Sequence, residues 1–181
     1  MAKKQKTLPA QPVSVSAVRE QVYMVFPNDL NANDTVFGGL IMAQMDRFAA
    51  VVADRHAGGV CVTASVDAVH FIAPARRGDV LIFNAAVNRA WHTSMEIGVK
   101  VDARSYDGAT RRHILSAYMT FVAVDPDGKP RPVPPLQPET EIDRFRYEEA
   151  QLRRELRLSH AEALKKLRGG RIRAGAIQTA R

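Results

Sequence analysis

Apolar positions along this chain follow two rhythms, a period of two over most of it and a helical period in two stretches. From residue 38 the apolar members Leu40, Ile41, Met42, Met45, Phe48, Ala49 and Val52 recur around most of a helix circumference. That spacing predicts one long, buried helix. It should close near Gly58-Gly59, because glycine is at ease in the left-handed conformation that ends helices. Ahead of it, residues 18–26 (V-R-E-Q-V-Y-M-V-F) read as a strand stopped by Pro27, and residues 28–36 as a loop. Four strand-like runs follow: 60–72, 80–91, 94–106 and 112–124. Turn chemistry at Pro74, Arg77-Gly78-Asp79, Asp107-Gly108 and D-P-D-G closes them in turn. Alternation is clearest for Ile97, Val99, Val101 and Ala103 against Glu96, Gly98, Lys100 and Asp102. It predicts one buried face and one facing water.

A strand, a long helix and four strands at hairpin spacing make an α+β fold, with an antiparallel sheet of about five strands wrapped around one buried helix. Residues 1–14 read as a disordered leader, 15–135 as the folded domain and 136–181 as a basic helical C-terminal extension. A proline-rich stretch, P-R-P-V-P-P-L-Q-P, should run extended into that extension. Residues 139–168 read as a helix with Leu152, Leu156 and Leu158 among many charges, packed on the core or on a neighbouring subunit. The tail from Gly169 is expected to be mobile.

The charge balance narrows the function. Residues 144–181 carry eleven Lys/Arg against four Glu, while residues 1–143 carry fifteen of each sign, so the whole net charge of +7 sits in residues 144–181. A neutral folded core argues against a nucleic-acid-binding domain, whose basic footprint should lie on the fold itself. The sequence holds no 18-residue apolar run, so no membrane span is expected. The basic N-terminus is not followed by an apolar h-region, so it does not read as a secretory signal. Cys61 is the sole cysteine, which excludes an intramolecular disulfide and points to a reducing, cytoplasmic setting. Between Val60 and Val62, it reads as a small buried hydrophobe rather than a nucleophile.

The candidate chemistry lies in N-A-N-D-T-V-F-G-G-L-I-M-A-Q-M-D, residues 31–46. Asp46 falls well inside the apolar helix, where an unpaired carboxylate would cost several kcal/mol. The same helix opens at Gly38 and Gly39, leaving its first N–H groups to a ligand with partial negative charge. A costly acid and an open oxyanion site on one helix suggest a reactive carbonyl nearby. Taken singly, Asn31, Asn33 and Asp34 are equally ordinary turn and cap residues, and paired glycines equally ordinary turn punctuation. Thr63 and Ser65 on the next strand could hydrogen-bond Asp46 or a substrate, or be plain strand polarity. Arg76 and Arg77 could grip phosphates with their forked guanidinium groups, or be a solvated turn. His70, His92 and His113 are too scattered to make a metal site, and no metal is expected.

This layout and its motifs resemble the hot-dog fold acyl-CoA thioesterases, in the branch of small bacterial acyl-CoA hydrolases and the cytosolic/brain acyl-CoA hydrolase of animals. The resemblance covers residues 18–135. Its pieces are N-A-N with F-G-G and an Asp seven residues after the second Gly, V-T-A-S-V-D-A-V-H-F, P-A-R-R-G-D, T-S-M and T-F-V-A-V-D-P-D-G-K-P-R. Asp34 departs from it, where bacterial members carry Gly. The resemblance implies a hot-dog fold and hydrolysis of acyl-CoA to fatty acid and coenzyme A. Asp46 would activate water or attack the thioester, Asn31 would assist, and the Gly38 or Gly39 amide would polarise the carbonyl. Thr93 and Ser94 would contact pantetheine or nucleotide. No cofactor is implied beyond the coenzyme A of the substrate, and trimers of dimers are typical.

Helix geometry adds a requirement. Asp46 lies eight residues beyond Gly38, about 12 Å along one helix at about 1.5 Å per residue. A reacting carbon needs both the oxyanion donors and the attacking group within about 3 Å. Two antiparallel helices side by side meet that need, so catalysis calls for a homodimer with two equivalent interface sites. A hydroxyacyl dehydratase on the same fold would need a catalytic His, which the loop and first helical turns lack. A non-catalytic acyl-CoA-binding or sensing module would have no use for a carboxylate aimed at the thioester.

Overall fold

The turns at Gly78, Gly108 and D-P-D-G separate the strands as expected in the computed structural model, which describes residues 8–178. The elements run β1 (Gln11–Pro12), α1 (Val13–Ser16), β2 (Val18–Met24), a 3-10 turn (Pro27–Asp29), α2 (Gly38–Ala57), β3 (Cys61–Val66), β4 (Val80–Ala90), β5 (Ser94–Arg104), β6 (Arg111–Ala123), β7 (Leu136–Gln137) and α3 (Glu141–Gln178). A five-stranded sheet in the order β2-β4-β5-β6-β3 is antiparallel throughout. This is the expected α+β arrangement, with the sheet wrapped about α2.

The inner face of the sheet carries Leu81 and Phe83 from β4, Ile97, Val99 and Val101 from β5, and Leu115 and Phe121 from β6, all packed in one core with Ile41, Met45, Ala49 and Val52 of α2. The Phe48 and Phe83 rings sit 5.2 Å apart, a tilted pair. Gly58 ends α2 at φ 64, and its N–H returns to Asp54 O. The helix is buried on one side only, however. Met42 and Val51 remain 45% and 40% exposed, and along the β3 edge Val62 and Val66 are 47% and 48% exposed. One chain leaves half of α2 and the neighbouring edge strand uncovered.

The outer face departs from the pattern. Glu96 and Asp102, expected in water, are 0% and 2% exposed. For Glu96 the cause is α3, which crosses this face and brings cations to it: Arg153 reaches Glu96 at 2.8 Å, and Arg157 reaches Glu96 at 3.2 Å and Asp67 at 2.6 Å. Asp102 is paired instead by Arg111, Lys100 and His113 of the sheet itself. Arg89, Arg153 and Arg154 lie over the rings of Tyr147, Tyr118 and Trp91. So α3 docks through arginines and aromatics, while Leu152, Leu156 and Leu158 point outward and stay exposed. The first strand after α2 also stops early, at Val66 rather than 72, after a register shift between Thr63 and Ser65.

Part of the expected leader is structured. Gln11 and Pro12 pair in parallel with Leu136 and Gln137, Ser14 donates to the Glu139 carboxylate, and Val13 and Ser16 are buried. Residues 1–7 of that leader lie outside the described residues. The tail expected from Gly169 falls partly within α3, and residues 179–181 lie outside the described residues.

Candidate active site

The loop before α2 is knotted on Asn31. Its Oδ1 accepts from Asn33 N at 2.9 Å and Thr35 N at 3.3 Å, and its Nδ2 donates to Thr35 Oγ1 at 2.9 Å. Asp34 takes φ 55, a left-handed conformation that Asp tolerates and glycine prefers. The loop therefore keeps the backbone a glycine would provide, and Asn31 remains exposed at its head.

Helix α2 then starts without a side-chain cap, behind Phe37. The N–H groups of Gly38 and Gly39 have no acceptor among the described residues, so they project as free donors at the positive end of the helix dipole. Both glycines are tightly fitted. A Cβ at Gly39 would come within 2.3 Å of the Phe37 ring, and one at Gly38 within 3.2 Å of Phe71. Any side chain there would crowd the two aromatics that flank the open amides.

Two turns further, Asp46 faces β3. Thr63 Oγ1 donates to Asp46 Oδ1 at 2.7 Å, which orients the carboxylate and leaves its other oxygen free. Asp46 is partly buried, on the same side of α2 as the exposed Met42 one turn earlier, rather than deep in the core. Ser65, past the register shift, makes no side-chain hydrogen bond among the described residues. One chain thus joins Asp46 to Thr63 and leaves Asn31, Gly38 and Gly39 at the opposite end of the helix segment.

At that end an apolar cleft of about 310 Å³ runs between Gly38, Ile41 and the 71–75 segment, past Thr35. At Pro74 it adjoins a second cavity of about 710 Å³ lined by Arg76, Arg77, Arg112 and Tyr106. Asp79 ties the turn: it accepts from Arg76 N at 2.6 Å and pairs with Arg112, which also donates to Pro74 O at 3.2 Å. Arg112 and Tyr106 escaped the sequence reading. Nothing in their spacing links the β5–β6 hairpin to the Arg76-Arg77 turn; only a cluster of three arginines in the assembled fold does. Thr93 and Ser94 lie elsewhere. Thr93 O accepts from Ala123 N, and Ser94 Oγ faces α3, 3.4 Å from Arg154.

Cys61 is half-buried and its thiol is pushed up to about 11, first by burial and then by Asp54, which fits a structural role. Among the described residues no three His, Cys, Asp or Glu side chains gather as a metal site. No described helix is long and apolar enough to cross a membrane.

A family model described as the thioesterase superfamily matches residues 33–105. Among curated relatives, acyl-coenzyme A thioesterase 11 of Mus musculus is 39% identical over 77% of this chain, and the cytosolic acyl coenzyme A thioester hydrolase of the same organism 39% over 80%. The chain spans only 24% and 39% of those two proteins. An uncharacterized acyl-CoA thioester hydrolase of Bacillus subtilis is 38% identical, over 77% of this chain and 83% of its own. Of solved structures, an apo-hexameric acyl-CoA thioesterase superposes with TM-score 0.82 at 38% identity, covering 85% of this chain and 98% of that one. An acyl-CoA hydrolase of Staphylococcus aureus, solved with butyryl coenzyme A, coenzyme A and coenzyme A disulfide, gives TM-score 0.81 at 37% identity, covering 87% and 96%. That enzyme is also solved as aspartate-to-alanine, asparagine-to-alanine and threonine-to-alanine variants.

Proposed function

Because the chain belongs to the thioesterase superfamily and has its hot-dog fold, we propose that it hydrolyses acyl-CoA thioesters to fatty acid and coenzyme A. The observation that carries this reading is the Thr63–Asp46 hydrogen bond on a helix whose first amides are free. A thioester carbonyl oxygen becomes an oxyanion on attack, and amides fixed at a helix N-terminus stabilise it before any reorganisation is needed. Asp46, held by Thr63, either takes a proton from the attacking water or attacks the carbonyl carbon itself. Asn31 assists by orienting water or thioester. The reading calls for no metal or organic cofactor. The variants of the Staphylococcus aureus enzyme support it: the asparagine, aspartate and threonine they replace are spaced as Asn31, Asp46 and Thr63 are here.

The working unit is a homodimer. Two α2 helices placed antiparallel bring Asp46 of one chain to the Gly38-Gly39 amides and Asn31 of the other. The uncovered Met42 on α2, with Val62 and Val66 along the β3 edge, offers apolar surface that such a pairing would bury. Assembly of dimers into a trimer of dimers agrees with the hexameric relative. In the bound substrate the pantetheine would lie in the cleft beside Phe71, and the phosphates against Arg76, Arg77 and Arg112. The named cytosolic relative supports a place in the cytosol.

The deciding experiment is thiol release from a panel of acyl-CoAs of increasing chain length. Turnover of at least one, at rates lost in Asp46→Ala, is expected. Tight acyl-CoA binding with no thiol released from any of them would replace hydrolysis with the acyl-CoA-sensing alternative.

A further inference from the structure

On the sheet face turned away from α2, three side chains line up that the thioester chemistry does not use. Ser116 Oγ lies 3.2 Å from His113 Nε2, and His113 Nδ1 lies 3.1 Å from Asp102 Oδ1. Asp102 is 2% exposed, His113 is partly exposed and Ser116 is open to solvent. We propose that Ser116 is the nucleophile of a second, separate esterase site, with His113 as its base and Asp102 orienting the imidazole.

The fold explains the alignment. A register shift between Val101 and Asp102 places Asp102 opposite His113 and Lys100 opposite Ser116. The extra residue on β6 lets His113 and Ser116, three apart in sequence, share one face. Asp102 is further held by Arg111 Nε at 2.9 Å and Nη2 at 2.8 Å, and by Lys100 Nζ at 3.3 Å. Despite burial, the hydrogen bonds from Arg111, His113 and Lys100 keep its carboxyl below the usual carboxylate range. An ionised Asp102 can only accept, so His113 holds a proton on Nδ1, and the neutral imidazole then presents its Nε2 lone pair to the Ser116 hydroxyl. That is the tautomer a general base needs.

Ser116 opens on a groove of about 430 Å³ beneath the first turns of α3. Its wall includes the cations Arg19, Lys100 and Arg146 and the carboxylates Asp143 and Glu149, with Ile142 and Phe145 as apolar lining. Asp143 is engaged with the Glu139 and Thr140 N–H groups and Glu149 with Arg153, so the lining fits a small activated ester with an apolar acyl group. The step balances without any co-reactant other than water. Ser116 Oγ bonds to the acyl carbon as its proton passes to His113 Nε2, and Lys100 lies in register to stabilise the oxyanion. The ester C–O bond breaks and the leaving oxygen takes the proton from His113. Water then repeats the sequence, freeing the carboxylic acid and restoring Ser116.

The site does not depend on the acyl-CoA reading, and the test keeps the two apart. Full-length Asp46→Ala protein would be treated with a fluorophosphonate probe and, separately, with p-nitrophenyl acetate. A covalent adduct mapped to Ser116 by peptide mass spectrometry is expected, with ester turnover above the spontaneous rate. Adding Ser116→Ala should abolish both, and adding His113→Gln should slow both by about a hundredfold. The latter changes a partly exposed side chain, so it tests activation without touching the core. Absence of an adduct at Ser116 in folded protein would overturn the proposal. So would labelling that is equally fast after His113→Gln, which would make Ser116 an ordinary surface hydroxyl.

Discussion

The hydroxyl of Thr63 lies 2.7 Å from the carboxylate of Asp46, joining edge strand β3 to the middle of α2. A hydrogen bond to a charged acceptor is worth about 1.5–3 kcal/mol. Part of that sets the orientation of the one acid in the candidate site. Thr63→Val should therefore lower kcat for acyl-CoA about tenfold, equivalent to about 1.4 kcal/mol of barrier, with little change in KM. Thr63→Ser should restore most of it. Steady-state kinetics on the three proteins check this; a Thr63→Val enzyme as fast as wild type would show that the hydroxyl does not position Asp46.

Asp46→Ala should remove acyl-CoA hydrolysis almost completely while the protein remains folded by circular dichroism. A residual rate above about a tenth of wild type, a loss under about 1.4 kcal/mol, would exclude Asp46 as base or nucleophile.

Mixing tests the shared site. Asp46→Ala and Asn31→Ala homodimers should each be nearly inactive. In a heterodimer the two lesions fall in one site, and the other regains a wild-type Asp and a wild-type Asn. Statistical exchange makes about half the dimers mixed, each with one working site of two, so about a quarter of full activity should return. If both residues came from one chain, every heterodimer site would carry a lesion and nothing would return. Exchange confirmed by mass spectrometry with no recovery would thus place the pair within a single chain.

The buried ion pair under α3 makes a stability prediction. Glu96 is fully buried and takes hydrogen bonds from Arg153, Arg157 and Asn88. Removing one partner of such a pair leaves a buried charge under-compensated, which typically costs about 3–5 kcal/mol. Because Arg157 and Asn88 remain, Arg153→Met should fall at the low end, about 3 kcal/mol. The double change with Glu96→Leu should be less harmful than Arg153→Met alone. Urea unfolding near neutral pH measures both; an additive double variant would mean that the charges are not coupled.

His56 makes a pH prediction. It is fully buried near the end of α2 with Nε2 3.0 Å from Pro134 O, and burial holds its pKa below the ordinary value of 6.5. The folded protein keeps His56 neutral where the unfolded chain already takes up a proton, so stability is full above pH 6.5 and falls on acidification below it. His56→Gln should flatten this part of the urea-midpoint profile between about pH 6.5 and 5. A profile with the same acid slope in both proteins would assign the loss to other groups.

Much of the architecture was already determined by the sequence, because burying one face of a strand or helix forces a periodic pattern that survives in one dimension. The inward run Ile97, Val99, Val101 and Ala103, the glycine stop after α2 and the turns at Gly78 and Gly108 are of this kind. The candidate site was legible for a related reason: Asn31, Gly38, Gly39 and Asp46 lie on one continuous loop and helix, so their spacing is their geometry. The tertiary structure decided whatever depended on a partner far along the chain. Glu96 and Asp102 read as water-facing because a polar letter on an outer face looks the same under solvent or under an arginine; Arg153, 57 residues away, made the difference for Glu96. Gln11 could not be seen to pair until residue 136 arrived beside it. Arg112 joined Arg76 and Arg77 only when the sheet register brought a hairpin to a loop. Likewise a helix apolar on nearly every side announces that it will be covered, and only the fold shows that its own sheet covers one half of it.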